Sequence, residues 1–113
     1  MESITDLTSS TVDALSALAQ EHRLSAFRLL VQAGDAGLPA GEIARELGIA
    51  PSSLSFHLSQ LSNAGLVSDE RQSRSIIYRA NYGAMSKLLE FLTENCCQGA
   101  NSAPKISPER NVK

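Results

Sequence analysis

Thiols are scarce in this chain of 113 residues: Cys96 and Cys97 are its two cysteines, and they are adjacent. Long apolar runs are missing too. Nothing approaches the roughly 18 consecutive apolar residues that a membrane span needs. The opening M-E-S-I-T-D-L-T has neither a basic n-region nor an apolar h-region, so a secretory signal is not expected. The expected compartment is a reducing cytoplasm, where free thiols are favoured over a structural disulfide. Excess positive charge is also absent. At a net charge of −2, the chain has no global attraction for nucleic acid or an anionic membrane. Any DNA binding must therefore rest on locally clustered cations.

What remains is a soluble globular composition, 42% hydrophobic and 19% charged. The length suits one domain, small enough that a partner chain would help it bury surface. Apolar residues at Val12, Leu15, Leu18 and Ala19 form a helical stripe within 7–20. A second helix is expected over 21–33, with Leu24, Phe27, Leu30 and Val31 on one face, followed by Gly34 and Gly37 as cap and turn. P-A-G-E-I-A-R-E-L-G then predicts a short helix with Ile43, Ala44 and Leu47 inward, stopped at Gly48. Pro51 suits the first position of the next helix, which carries Leu54, Leu58 and Leu61 and ends at Ala64-Gly65. Residues 66–70 and 75–80 are expected to pair as a hairpin. A last helix is expected from Tyr82 to Cys96, with Met85, Leu88, Leu89 and Leu92 apolar. Beyond Cys97 the polar residues 98–113 read as a disordered tail. The order is mainly α with one β-hairpin (ααααββα), and two short helices followed directly by a hairpin indicate a winged helix-turn-helix.

In the helix 51–64, burying the three leucines leaves Ser52, Ser53, Ser55, Phe56, Ser59 and Gln60 outward, with His57 at the flank. This face carries no acidic or basic residue. Short hydroxyls and a glutamine can approach a groove floor, bond base edges or phosphates, and introduce no repulsion. Phe56 is either exposed for contact or partly buried against the hairpin. His57 is a phosphate contact or a packed residue rather than a metal ligand, because no second ligand stands at i+4. The hairpin supplies Arg71, Arg74 and Arg79, three of the ten Lys and Arg, as a wing would along a phosphate backbone. Asp69 and Glu70 dilute that charge.

The segments L-A-Q-E-H-R-L-S-A-F-R-L-L (18–30), G-E-I-A-R-E-L-G-I (41–49), S-S-L-S-F-H-L-S-Q-L-S-N-A-G-L-V (52–67) and R-Q-S-R-S-I-I-Y-R (71–79) resemble the ArsR/SmtB family of metalloregulatory transcriptional repressors. The resemblance covers about residues 12 to 92. Two positions depart from the family pattern: Ser73 replaces the wing glycine, and Ala50 replaces a serine that could cap the recognition helix. The resemblance implies a homodimeric winged helix-turn-helix over 1–97, formed mainly through the first and last helices. Val12, Leu15, Leu18, Met85, Leu88, Leu89 and Leu92 are the candidates for that surface, or for each protomer's own core. It also implies an inverted-repeat DNA operator released when an inducer binds, and no enzymatic activity.

Two inducer sites common in the family are absent. The third-helix segment G-E-I-A-R-E-L-G has no cysteine, and 82–95 has no Asp or His to partner Glu90 and Glu94. Cys96 and Cys97 remain, and the chain resembles atypical arsenic-responsive members with a vicinal pair after the last helix. Thiolates select thiophilic centres. With two thiols per chain, methylarsenite is stoichiometrically natural; arsenite would need a further ligand. Adjacent residues on a helix point about 100° apart, so both sulfurs could hold one atom only if the last turn unwinds. Antimonite or an oxidant acting through the same thiols is the alternative on this scaffold. A small thiol redox enzyme and a DNA-independent interaction module are the alternatives of other classes. The acidic neighbour Glu94, with no base nearby, disfavours a low-pKa catalytic thiolate.

Overall fold

The computed structural model describes residues 4–97. The expected tail, 98–113, lies outside the described residues. Helix α1 (Ile4–Leu18) leads into α2 (Glu21–Ala33), whose first turn is capped by the Gln20 side chain accepting from the Arg23 amide. A single 3-10 turn (Gly34–Ala36) is followed by a two-residue strand β1 (Leu38–Pro39) and helix α3 (Ala40–Leu47). Gly48, in the left-handed region at φ 67°, ends α3. Helix α4 (Pro51–Asn63) then runs into the hairpin β2 (Val67–Gln72) and β3 (Ser75–Ala80), and helix α5 (Tyr82–Thr93) follows.

The core forms where α2, α3 and α4 converge beneath the hairpin. Leu30, Ile43, Leu54, Leu58, Leu61 and Leu66 are its largest fully buried side chains, joined by Phe27, Val67 and Ala80. Leu54, Leu58 and Leu61 share one face because i, i+4 and i+7 do so on a helix. Leu24, expected on the inward face of α2, is instead exposed. Ala26 and Leu30 set the centre of that buried stripe, and Leu24 falls roughly 140° of helix rotation away from it.

The sheet has three strands in the order β1-β3-β2, all antiparallel. The hairpin matches the expected position, and β1 adds an edge that periodicity does not reveal. Leu38 pairs with Tyr78 and Pro39 with Ile77. Gly37 makes this approach feasible: at φ 66° a Cβ there would strike the Tyr78 carbonyl oxygen and lie 2.8 Å from Arg79 Cγ.

Both departures from the family pattern leave local marks. Ser73 makes the two-residue wing turn by adopting φ 56°, a conformation that costs a non-glycine residue on the order of 1 kcal/mol. Ala50 stands at the N-cap of α4 with no side-chain bond to it.

The last helix is shorter than expected. It stops at Thr93, not Cys96. The Thr93 hydroxyl donates to the Leu89 carbonyl at 2.8 Å, Glu94 turns extended at ψ 130°, and Asn95 and Cys97 both take φ 60°. Cys96 and Cys97 therefore sit in a turn beyond α5. No helix among the described residues is long and apolar enough to cross a membrane.

Candidate nucleic-acid interface and thiol pair

The α4 face is built as its composition requires. Ser52, Ser53, Ser55 and Ser59 are exposed, Gln60 is half-buried, and Phe56 is 58% exposed. His57 does not share this openness. Its Nδ1 lies 3.3 Å from Arg23 Nη1, and Arg23 Nε donates to the Ala17 carbonyl at 2.6 Å. A guanidinium only donates, so Nδ1 must accept, and the neutral ring carries its proton on Nε2. Partial burial, the Arg23 charge and the neighbouring His22 together hold the His57 pKa below its ordinary 6.5. The His22 ring centroid is 5.6 Å away, and the Phe56 ring packs against His57 edge-on at the same distance. The residue that sequence reasoning missed here is Arg23. Its signal was available as an arginine on the inward-facing arc of α2.

On the wing, the three arginines divide. Arg71 and Arg74 are exposed near the hairpin tip. Arg79 is engaged by the fold itself: Nε donates to the Asp35 carbonyl at 2.7 Å, and Nη1 pairs with Glu70 Oε1 at 2.7 Å. That bond holds the Glu70 carboxyl below the usual carboxylate range. Arg79 thus ties the hairpin to the 3-10 turn, and its cation is already matched. The outward charge of the wing comes from Arg71 and Arg74.

The other end of the molecule is apolar and unfinished. Val12 and Leu15 on α1, and Leu89 and Leu92 on α5, are exposed, whereas Leu18, Met85 and Leu88 pack partly against the protomer's own core. Between these helices runs an open groove of about 640 Å³, walled by Ala14, Leu66, Leu88, Phe91 and Glu94 among others. Asn81 joins α5 to the end of the recognition helix. Its Oδ1 caps α5 at Ala84, its Nδ2 donates to the Gly65 carbonyl at 3.0 Å, and its amide donates to the Leu66 carbonyl at 2.8 Å.

Past the groove lie the thiols. Cys96 Sγ and Cys97 Sγ are 3.2 Å apart, free and exposed. The left-handed backbone of Asn95 and Cys97 brings together side chains that a continuing helix would have splayed. The hydrogen bond with Cys97 raises the Cys96 pKa, with burial and the neighbouring thiolate charge adding to it. Among the described residues no group of three or more His, Cys, Asp and Glu side chains is placed to hold a metal ion.

Comparison with known proteins agrees with the winged helix-turn-helix fold. A helix-turn-helix domain family matches residues 18–70. The chain is 31% identical over 84 residues to the transcriptional activator HlyU of Vibrio cholerae, covering 74% of this chain and 75% of that one. Among solved structures, an ArsR-like transcriptional regulator from Rhodococcus sp. RHA1 superposes with a TM-score of 0.66 at 27% identity, covering 75% of this chain and 77% of that one. HlyU itself superposes at 0.63 with 29% identity, covering 80% of this chain and 96% of its own.

Proposed function

Because the chain belongs to the ArsR/SmtB family of winged helix-turn-helix, DNA-binding transcriptional regulators, we propose that it is a homodimeric repressor whose inducer is a trivalent arsenical bound by Cys96 and Cys97. In this reading the uncharged α4 face of Ser52, Ser53, Ser55, Phe56 and Gln60 enters the major groove. The His57 Nε2–H supplies one further donor, and Arg71 and Arg74 follow the adjacent phosphates. Arg79 supports the wing from behind. The two apolar stripes of α1 and α5 meet their copies across a two-fold axis, which places two recognition helices on an inverted repeat spaced roughly 34 Å apart.

The observation that carries the inducer is the 3.2 Å separation of the two sulfurs in a turn outside any helix. Each thiol loses a proton and gains an As–S bond while a hydroxide of the arsenical leaves as water. Two such exchanges satisfy methylarsenite, whose methyl group holds the third bond. Arsenite would need a third donor from a small thiol or the other protomer.

Release then follows from position. The turn holding the thiols follows α5 directly, and α5 is joined through Asn81 to Gly65 and Leu66 at the end of the recognition helix. A rigid five-membered ligand ring would not form, since the sulfurs belong to adjacent residues; the larger ring that does form restricts the turn. A state of α5 compatible with that ring and a state compatible with DNA need only differ in arsenical affinity for the ligand to shift the balance.

Intact-mass measurement of the protein exposed to methylarsenite, arsenite or antimonite tests the ligand. One methylarsenic per chain is expected, with both thiols consumed and none added to Cys96→Ser or Cys97→Ser as a stable adduct. Unchanged mass with methylarsenite would refute it, and disulfide formation under peroxide alone would favour the oxidant-sensing alternative.

A further inference from the structure

Phe56 is the one side chain on the outward face of α4 that cannot form a conventional hydrogen bond to DNA. It is 58% exposed, amid Ser52, Ser53, Ser55 and Ser59, and so contributes little to the core beneath it. Its orientation is nevertheless defined. The ring packs edge-on against His57 with centroids 5.6 Å apart and planes at 63°. His57 is held in turn by Arg23, which is anchored on the Ala17 carbonyl at the end of α1. A chain of contacts from α1 through α2 thus supports an exposed apolar ring on the helix that faces DNA.

In the major groove, base edges present hydrogen-bond donors and acceptors and, at thymine alone among the unmodified bases, an apolar C5-methyl group. The serines and Gln60 suit the polar edges. The phenyl ring suits the methyl. We propose that Phe56 determines part of the operator sequence by packing on the C5-methyl of one thymine in each half-site, with His57 and Arg23 acting as positioning residues. This rests on the DNA-binding reading and adds the base it selects.

The test uses the full-length protein and an inverted-repeat duplex that it enriches from a random-sequence library. Each thymine is replaced singly by deoxyuridine, which removes only the methyl. One position per half-site should weaken binding roughly fourfold, the affinity equivalent of ~0.8 kcal/mol for one buried methyl-sized group. Replacing both symmetric thymines should cost on the order of 15-fold. In Phe56→Ala, and in Phe56→Ser as a second variant, the deoxyuridine penalty at that position should vanish while the salt dependence of binding is unchanged, because no phosphate contact is lost. Arg23→Ala should reduce the penalty without abolishing it. Tolerance of deoxyuridine at every position by the wild-type protein would overturn the proposal, as would an equal penalty in Phe56→Ala. Failure to enrich any duplex would overturn the DNA-binding reading together with it.

Discussion

Helices α4 and α5 are of similar length, 13 and 12 residues, and each carries leucines at helical spacing, yet they end in opposite situations. In α4, Leu54, Leu58 and Leu61 are all essentially inaccessible. In α5 no residue is buried, and Leu89 and Leu92 are 53% and 54% exposed. The recognition half is complete within one protomer; the α1–α5 half leaves its apolar stripe open. That difference teaches what each pattern is for. A stripe whose partners lie in the same chain makes a scaffold, and a stripe left open beside another exposed stripe on α1 is the surface assigned above to the proposed second copy. The proposed switch sits at the same end: the thiols follow α5, the helix whose packing is unfinished, and so the one that a ligand shifts at least cost to the fold.

The sharpest way to break the contrast is to attack the finished half. Leu61→Ala should destabilise the protein by roughly 2–5 kcal/mol, read as a lowered urea midpoint that does not depend on protein concentration. Attacking the open half should do something different. Leu89→Asp with Leu92→Asp should keep the helical circular dichroism, weaken dimerisation by on the order of 100-fold or more, and lose operator binding, as sedimentation equilibrium and anisotropy would show. Ser73→Gly should relieve the left-handed wing turn and stabilise the protein by about 1 kcal/mol or less, since glycine adopts φ near 56° without strain.

The smallest effect concerns acid. His57 titrates below its ordinary 6.5 in the folded chain, so the unfolded chain takes up the proton first as pH falls. Its contribution to stability is therefore complete above about pH 6.5 and is lost as pH drops through the lowered folded value. Asn in its place keeps an acceptor for Arg23 but cannot titrate. The melting temperature of His57→Asn should fall less between about pH 7 and pH 5 than that of the wild type.

Most of the finished half was legible in the sequence. Leucines at i, i+4 and i+7, Pro51 and Gly48 delimit α4, and β-rich ends around the polar middle at Arg71–Arg74 locate the hairpin. The open half was less so. The last helix read through to Cys96 because Leu88, Leu89 and Leu92 continue the period. Thr93 bonding back to Leu89 and Asn95 entering the left-handed region end it earlier, and these are local choices that periodicity does not register. Strand β1 is two residues long and exists only through pairing with β3, forty residues away in the chain. The wing arginines look equivalent in sequence. Only the register that sets Arg79 diagonal to Glu70, and the fold that brings Asp35 to it, separates the brace from the two outward cations.

The central claim is that the thiol pair controls DNA occupancy. Fluorescence anisotropy of a labelled operator duplex, titrated with methylarsenite in parallel for wild type, Cys96→Ser and Cys97→Ser, measures it directly. All three proteins should bind the duplex alike before addition, and methylarsenite should release the wild type while both variants stay bound. Release of both variants at the same methylarsenite concentration, or a wild type that binds arsenic and stays on DNA, would contradict it.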